Sequence, residues 1–330
     1  MPDTPLGPAA ELILSIEPLR SFAVLGKLLR KHPPASSDYC GMSYRMLVPD
    51  GERRDTLPVE AAIHAATVAS FLFDDIMDAD ERKPDFGIDE GRRANLGGAL
   101  LVATYKLIAG SDFPPDVQIR IVGEISDLLL EASAGQEIEA SIRDGDRPND
   151  DPEATYWKVI QAKSSQQVGR NLRLGCIMAG RPDMEERFFE IGMALGDMLQ
   201  ILDDVSDALY RELSPDWRAT GINLLIIFCL HPGNPQRERF ARLFEHATSD
   251  REAHRECREV MIRSGAVGFA IHHFFDRFLK TRKRIESLEG LDTGPLLEAL
   301  HKPVRPLAAG FKELGIEMPA EIAGSLRSFA

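Results

Sequence analysis

An apolar run that ends in three closely spaced aspartates places the strongest constraint on the fold of this chain. The run covers Gly192–Asp207, GMALGDMLQILDDVSD, and includes Asp203, Asp204 and Asp207. In a helix, residues at positions i, i+1 and i+4 project toward one side. Three carboxylates placed there repel one another and cost free energy to desolvate, unless a multivalent cation neutralises them. The run therefore predicts a buried helix that ends in a cation site.

A second acidic cluster of the same kind lies earlier in the chain. The segment FLFDDIMD closes another apolar run with Asp74, Asp75 and Asp78. The two clusters form a weak internal duplication, because each apolar run ends in the pattern DDxxD. Two helices that cross a bundle and meet at one end could hold several Mg²⁺ ions and, through them, a polyphosphate.

Helical periodicity dominates the remaining sequence, and alternating strand patterns are scarce. The expected helices, in chain order, are Ala9–Lys31, a helix from Pro58 through FLFDDIMD, Arg92–Ala109, Val117–Ile142, Ala154–Ala179, Glu185–Tyr210 and five shorter helices after Pro215. Residues 33–57 are expected to be irregular. No linker or shift in composition divides the chain of 330 residues. The prediction is a single all-α domain, residues 1–330, of long core-buried helices.

The charge of the chain limits its partners. The formal net charge is −13 at pH 7, which argues against nucleic acid or an anionic membrane surface as a partner. An anionic substrate would also be repelled unless metal ions invert the local charge.

The cysteines and the apolar runs predict a cellular location. The four cysteines show no CxxC spacing and lie in mostly apolar surroundings, as buried free thiols do in a reducing compartment. The N-terminus shows no signal-peptide pattern. The longest apolar run, Ile222–Leu230, is interrupted only by Asn223 and is too short for a membrane span. We expect a cytoplasmic protein without stable membrane insertion.

Four motifs in a fixed order resemble the trans-prenyl diphosphate synthase family over most of residues 41–230. The motifs are FLFDDIMD, GQEIE at Gly135–Glu139, YWKVIQAKSS at Tyr156–Ser165 and LQILDDVSD at Leu199–Asp207. The resemblance implies the isoprenoid synthase fold, an all-α bundle of long helices around a central cavity. It also implies a homodimer and prenyl diphosphate substrates.

The resemblance assigns roles to individual residues. Six aspartates are expected to bind Mg²⁺, three ions per site, around an allylic diphosphate: Asp74, Asp75, Asp78, Asp203, Asp204 and Asp207. Lys163 matches the diphosphate-binding lysine of the family, and Ser164 stands where threonine is usual. Gln136 and Gln200 match glutamines whose neutral dipoles can face a carbocation without quenching it.

The chain departs from the family pattern where the non-allylic substrate, isopentenyl diphosphate, is expected to bind. The nearest match to the GKRxRP-like segment keeps Arg45 but lacks the preceding lysine and arginine. The usual histidine or glutamine would fall near Thr67. The RRG segment after the first acidic cluster is reduced to Arg82-Lys83. Because charge-assisted contacts are worth about 1.5–3 kcal/mol each, these losses predict weaker binding of isopentenyl diphosphate, unless Arg45, Arg53, Arg54, Arg82 and Lys83 compensate from shifted positions.

The tail after the second acidic cluster has also lost cations. The segment SPDWRATGINLLIIFCL aligns with the family's GKDLxxGKxTLPL-like tail and keeps Asp216. Pro215 and Gly221 replace the two lysines. The sequence thus supports metal-assisted ionisation of the diphosphate better than it supports any particular reaction of the resulting carbocation.

Small residues before the first acidic cluster bear on substrate size. In the family these positions line the floor of the hydrocarbon pocket, and here they are Ala66, Ala69 and Ser70. Small side chains leave a deeper cavity, which favours a C20 or longer product. They are equally what close helix packing requires.

Three functional hypotheses follow from these motifs. The first is a Mg²⁺-dependent prenyltransferase that condenses an allylic diphosphate with isopentenyl diphosphate. The second is a class I terpene cyclase, which would not need isopentenyl diphosphate. The third is a catalytically idle partner subunit, which need not keep six costly carboxylates. Surface roles remain open for Arg45, Arg82, Lys83 and Gln136.

Overall fold

The structure, a computed structural model, describes residues 6–32, 38–77, 87–143, 151–211, 217 and 221–305. These residues form helices, turns and irregular segments and contain no strand, which confirms the all-α prediction. The helices are α1 Pro8–Ser15, α2 Glu17–Arg20, α3 Leu25–Lys31, α4 Asp38–Leu47, α5 Leu57–Met77, α6 Glu90–Ala109, α7 Pro115–Arg143, α8 Pro152–Ile160, α9 Gln166–Met178, α10 Pro182–Leu209, α11 Leu224–Leu230, α12 Arg237–Phe244, α13 Arg251–Ser264, α14 Ala266–Glu286 and α15 Gly294–His301.

The chain forms two compact units. Unit 1 takes its residues from Met1–Gln136 and Gln167–Phe189, and unit 2 from Glu137–Gln166 and Glu190–Ala330. Each unit is therefore built from two separated stretches of sequence. That residues 1–330 act as one domain stays a prediction.

The core of unit 1 is organised around α5. This helix packs against α6, and buried alanines such as Ala62 and Ala69 let the two helices approach closely. Thr104 on α6 donates its hydroxyl to the carbonyl of Ala62, at 3.3 Å. A Cβ added to Gly97 of α6 would lie 2.9 Å from the Phe73 ring. The apolar side chains of α5 thus pack in the core of unit 1.

Helix α5 also passes a length-and-hydropathy test for a membrane span, as no other described helix does. The apolar window in Leu57–Met77 is 56% buried inside the protein. A core helix passes the same test, and the burial of α5 accounts for its apolar sequence.

Unit 2 contains the second half of α10 and the helices α11–α15. Helix α11, whose sequence is LLIIFCL, packs against α8, α12, α13 and α14, and its residues 224–227 are buried. The five helices expected after Pro215 correspond to α11–α15. The break expected at Met318 lies outside the described residues.

A π-helical turn joins α8 to α9. The turn covers Gln161–Ser165, QAKSS, which contains Lys163. The helix predicted over 154–179 is therefore continuous in path but carries one widened turn. Single π turns inside α-helices occur frequently at functional sites.

The N-terminal prediction was wrong in one respect. The helix expected over Ala9–Lys31 is divided into α1, α2 and α3. Pro18 cannot donate a backbone hydrogen bond, and in a continuous helix its ring would clash with the carbonyl of Leu14. The chain accordingly leaves the helix at Ile16, where ψ is 110°.

The prediction of an irregular segment at 33–57 was also wrong in part. Residues Asp38–Leu47 form α4, with Cys40, Ser43 and Tyr44 buried. The partner of this helix is distant in sequence, because a Cβ on Gly175 would lie 2.7 Å from the carbonyl oxygen of Cys40. Tertiary packing thus specifies a helix that local hydrophobicity does not reveal.

The cysteine prediction is confirmed. Cys40, Cys176, Cys229 and Cys257 are buried and free. Burial raises the pKa of the Cys229 thiol to about 11, so this thiol stays protonated at neutral pH.

Candidate active site

The acidic end of α10 lies in unit 2, and two of its three carboxylates lie near one arginine. Asp203 is half-exposed, whereas the side chain of Asp207 is about nine-tenths buried. The Arg211 guanidinium lies 2.8 Å from an oxygen of Asp207 and 4.0 Å from an oxygen of Asp203. Both carboxylates therefore share a positive charge.

The negative charges of this cluster repel one another. Partial burial and the charge of Asp207 raise the pKa of the Asp203 carboxyl, and the charge of Arg211 partly offsets the rise. The cluster also occupies the last turns of α10, where the helix dipole disfavours negative charge. A bound cation would relieve all of these costs.

Asp204 has a different environment from its neighbours. It is 1% exposed, and its two carboxylate oxygens accept hydrogen bonds from the Gln200 amide at 3.0 Å and from the Leu224 backbone N–H at 2.8 Å. The Asn223 side chain donates to the Asp204 carbonyl at 3.0 Å. Asp204 therefore ties the start of α11 to the acidic end of α10.

The π turn brings two further predicted residues to α10. Ser164 donates its hydroxyl to the Gln200 side-chain oxygen at 2.7 Å. Lys163 forms an ion pair with the largely buried Glu139 of the GQEIE motif. Three of the four motifs thus contribute side chains to one part of unit 2.

The donor set at α10 is suited to Mg²⁺. In the part of the chain that the structure describes, no group of three or more His, Cys, Asp or Glu side chains is arranged to hold a metal ion. Mg²⁺ does not require such a group, since it is usually held by one or two carboxylates together with water and substrate phosphates. Asp203 and Asp207 would provide two hard oxygen ligands of that kind.

The first acidic cluster lies at the end of α5 in unit 1. Asp74 and Asp75 are half-buried in the last turn of the helix, where the dipole again favours a nearby cation. Asp78, Arg82 and Lys83 lie outside the described residues. Their predicted roles in metal and substrate binding stay predictions.

Arg45, a predicted phosphate ligand, keeps an accessible charge. Its side chain is half-exposed on α4 and lies 3.9 Å from Glu60 on α5. Arg53 donates to the carbonyls of Arg45 and Val48, and Arg54 donates to the carbonyl of Asp112. Arg53 and Arg54 therefore hold backbone segments together.

A glutamine that the sequence analysis missed lies beside Thr67. The Gln167 amide donates to the Thr67 hydroxyl at 2.8 Å, and both residues belong to unit 1. The family pattern expects a histidine or glutamine at the position of Thr67 itself. Here the amide comes from α9, a hundred residues away in sequence, so no local motif could reveal it.

Three other predicted residues lie in unit 1 with contrasting surroundings. Gln136 is 6% exposed, and both polar atoms of its amide lack a hydrogen-bond partner among the described residues. An unsatisfied buried amide is costly, which makes Gln136 available to a ligand. Ala69 is completely buried in the apolar core, whereas Ser70 is half-buried and donates to the Ala66 carbonyl at 3.1 Å.

The tail after α10 is only partly described. Pro215 and Asp216 lie outside the described residues. Gly221 stands at a lost lysine position, and a Cβ there would lie 3.2 Å from Ile142. Arg211, which the sequence analysis did not select, is the cation that the structure brings to this acidic cluster. Its i+4 spacing from Asp207 was the available signal.

Comparisons with known proteins agree with the motifs. The family model described as polyprenyl synthetase matches residues 22–261. The chain is 24% identical over 245 residues to a geranylgeranyl pyrophosphate synthase of Geoglobus acetivorans, covering 70% of this chain and 74% of that protein. It is 25% identical over 231 residues to a geranylfarnesyl diphosphate synthase of Aeropyrum pernix, covering 65% and 70%.

A solved structure shares the fold. The geranylgeranyl pyrophosphate synthetase of Pyrococcus horikoshii superposes with a TM-score of 0.73 over 92% of this chain and 94% of that chain, at 19% identity. Since the family model spans well over half of the 330 residues, this chain belongs to the polyprenyl synthetase family and is a prenyltransferase.

Proposed function

We propose that this protein condenses an allylic prenyl diphosphate with isopentenyl diphosphate, in the presence of Mg²⁺, to a trans-prenyl diphosphate of C20 or longer. The observation that carries the proposal is a chain of contacts in unit 2: Ser164 donates to Gln200, which donates to Asp204 at the acidic end of α10. Lys163, in the same π turn as Ser164, pairs with Glu139 of the GQEIE motif. These contacts support a site in which a cation for phosphate, a neutral dipole and metal-binding carboxylates act together.

The chemistry requires a diphosphate leaving group and a protected cation. The allylic C–O bond breaks with both electrons on pyrophosphate, the isopentenyl double bond supplies the pair for the new C–C bond, and a proton leaves the isopentenyl unit. Bound Mg²⁺, three ions in the proposed complement, would stabilise the charge on the leaving group.

The chain's own residues divide this work. Asp74, Asp75 and Asp78 in unit 1, and Asp203 and Asp207 in unit 2, are the proposed metal ligands. Asp204 is proposed to orient them, because the Gln200 and Leu224 groups already occupy its carboxylate oxygens.

Substrate contacts are assigned to one lysine and two neutral amides. Lys163 is proposed to leave Glu139 for the allylic diphosphate. Gln136 and Gln200 are proposed to turn amide dipoles toward the cation. Such dipoles stabilise positive charge without forming a covalent bond.

The use of isopentenyl diphosphate is supported by Arg45 and by the pair Thr67–Gln167. Arg45 retains an exposed guanidinium, and Gln167 supplies an amide beside the position where the family pattern expects one. These groups favour a prenyltransferase with a reorganised acceptor site over a terpene cyclase.

The chain length of the product is proposed from Ser70 and from the relatives. Ser70 is small and half-buried one turn before Asp74, so it leaves space for a long hydrocarbon. The named relatives are geranylgeranyl and geranylfarnesyl diphosphate synthases, which supports a C20 or C25 product.

A cytoplasmic homodimer is the proposed state. Unit 1 exposes large apolar side chains at Val102 and Tyr105 on α6 and at Ile119 and Leu130 on α7. The Tyr105 hydroxyl lies 3.3 Å from that of Ser126, so the two helices are adjacent on this face. A second copy would cover these side chains, and light scattering of the purified protein tests the dimer.

Pyrophosphate release tests the function. Purified protein is incubated with Mg²⁺ and C10, C15 or C20 allylic diphosphates, with and without isopentenyl diphosphate. Release that requires isopentenyl diphosphate supports the proposal. Release without it, with hydrocarbon or alcohol products, would favour a cyclase, and no release under any condition would favour an idle subunit.

A further inference from the structure

Two helices of unit 2, α10 and α14, support the buried side of the π turn that carries Lys163 and Ser164. Helix α10 reaches it closely, because a Cβ on Gly196 would lie 2.5 Å from the Cα of Ser165. Ser165 itself is completely buried. The back of the turn is therefore packed in the protein, while Lys163 on its other side remains partly exposed.

A buried carboxylate connects this turn to α14. Asp197, the residue after Gly196, is 6% exposed and accepts a hydrogen bond of 2.5 Å from the Ser165 hydroxyl. Its other oxygen accepts a hydrogen bond of 2.8 Å from Nε of Arg277. Both oxygens are thus used, one by the turn and one by α14.

Arg277 is fixed by contacts on three sides. Its guanidinium lies over the Trp157 ring, 3.9 Å from the ring centroid, in the geometry of a cation–π contact. It also donates to the carbonyl of His273, at 3.3 Å. Trp157 is in turn held by a hydrogen bond of 3.1 Å from its indole N–H to Glu153.

We propose that Arg277 is a positioning residue, which acts through Asp197 and Ser165 to fix the π turn and thereby the places of Lys163 and Ser164. This role rests on the proposed function, in which Lys163 binds the allylic diphosphate. Arg277 lies beyond residues 22–261, the range that the family model matches, so the motifs do not identify it.

The position of the Arg277–Asp197 ion pair distinguishes a positioning role from general stabilisation of the fold. Helix α14 carries a second ion pair, between Lys280 and Asp276, which is exposed and whose charged atoms are 2.7 Å apart. Both partners of that pair lie on α14, so the pair provides a matched control on the same helix.

Hydrogen–deuterium exchange of the full-length protein tests the positioning directly. In Arg277→Gln we expect the amides of residues 161–165 to exchange about tenfold faster or more, because the opening of a local segment controls its exchange. Lys280→Ala should leave these amides unchanged. Unaltered exchange at 161–165 in Arg277→Gln would overturn the positioning role.

Kinetics of a double mutant test whether the positioning serves catalysis. Arg277→Gln should lower kcat/KM about tenfold or more, since small displacements of catalytic groups are costly. In a Ser164→Ala background the same change should cost clearly less, because the two residues act on one turn. An equal fold-loss in both backgrounds would overturn the role.

The two proposals fail in different ways. The exchange measurement requires no substrate, so it is informative whatever reaction the protein performs. A wild-type protein that releases no pyrophosphate would overturn the proposed function. Arg277→Lys should recover part of the activity of Arg277→Gln, because it keeps a charge next to Asp197 but loses the planar stacking on Trp157.

Discussion

The Ser164 hydroxyl donates a hydrogen bond of 2.7 Å to the Gln200 side-chain oxygen, and the nitrogen of the same amide donates to Asp204. The amide is therefore oriented at both ends, from the π turn on one side and from the acidic end of α10 on the other. This relationship makes the π turn and the acidic end of α10 a single unit of hydrogen bonding.

Ser164→Ala is expected to lower kcat about three- to tenfold, because a neutral hydrogen bond contributes about 0.5–1.5 kcal/mol. Without the Ser164 hydroxyl, the Gln200 amide can rotate away from its position. Ser164→Thr keeps the hydroxyl and should retain most of the activity. Steady-state kinetics with pyrophosphate detection measure both variants, and an unchanged kcat in Ser164→Ala would contradict the prediction.

Gly196→Ala is expected to lower both Tm and kcat. An alanine normally stabilises a helix interior by about 1 kcal/mol relative to glycine, but here the methyl group would lie 2.5 Å from the Cα of Ser165. Overpacking of this kind costs about 1–3 kcal/mol. Gly98→Ala is the control, since nothing lies within 4 Å of a Cβ there, and its Tm should be unchanged or higher. Calorimetry that finds Gly196→Ala as stable as Gly98→Ala would refute the clash.

Asp203→Asn is expected to raise the Mg²⁺ concentration for half-maximal activity by at least about tenfold. The substitution removes a hard anionic ligand from the exposed side of the cluster. Chelation of Mg²⁺ by EDTA should abolish activity in the wild type, and added Mg²⁺ should restore it. Asp276→Asn, at an exposed carboxylate paired with Lys280, should leave the Mg²⁺ dependence unaltered. The same dependence in Asp203→Asn as in the wild type would remove Asp203 from the metal site.

His64 is expected to make the protein less stable as the pH falls below neutrality. Its ring is buried, and one nitrogen is hydrogen-bonded to the His32 carbonyl at 2.7 Å. The other nitrogen has no partner in the part of the chain that the structure describes. Burial lowers the pKa of His64, and the hydrogen bond to His32 opposes this only in part. The unfolded state therefore protonates His64 near pH 6.5, whereas the folded state does not. The free energy of unfolding consequently declines as the pH drops from 6.5 toward the lower pKa of His64 in the folded state.

Urea unfolding of wild type and His64→Gln at pH 7.5 and pH 5.5 measures this contribution. The difference in unfolding free energy between the two pH values should be smaller in His64→Gln. His246→Gln, at an exposed histidine, is the control and should behave like the wild type. Equal pH dependence in all three proteins would be inconsistent with the assigned role of His64.

Ser70→Phe is expected to shorten the product by at least one five-carbon unit. Ser70 is half-buried and its hydroxyl is bonded within α5, so a phenyl ring there would reduce the proposed hydrocarbon space. Ala69 is a poorer choice, since it lies in the apolar core and a ring there would overpack it. Ser15→Phe, on the exposed end of α1, should not alter the product. Mass spectrometry that finds identical products in Ser70→Phe would separate Ser70 from chain-length control.

The acidic helices could be predicted from the sequence because their signals are local. Helices α5 and α10 are long, apolar and closed by aspartates, and the order of four motifs identified the family. The different environments of Asp203 and Asp204 could not be predicted. The two residues are identical and adjacent, and Asp204 is distinguished by a hydrogen bond from the backbone N–H of Leu224, twenty positions later.

The contacts that the sequence did not reveal are those between distant segments. Gln167 reaches Thr67 from another helix, and Arg277 reaches Asp197 across eighty positions. Helix α4 is specified by its packing near Gly175. In each case the determining interaction depends on the tertiary fold, which a motif or a periodic pattern does not encode.

The most direct test of prenyl transfer is the mass of the product formed from unlabelled C15 allylic diphosphate and ¹³C-labelled isopentenyl diphosphate with Mg²⁺. We predict a C20 or longer diphosphate that carries at least one fully labelled five-carbon unit, together with free pyrophosphate. An unlabelled hydrocarbon or alcohol, formed equally well without isopentenyl diphosphate, would contradict the account.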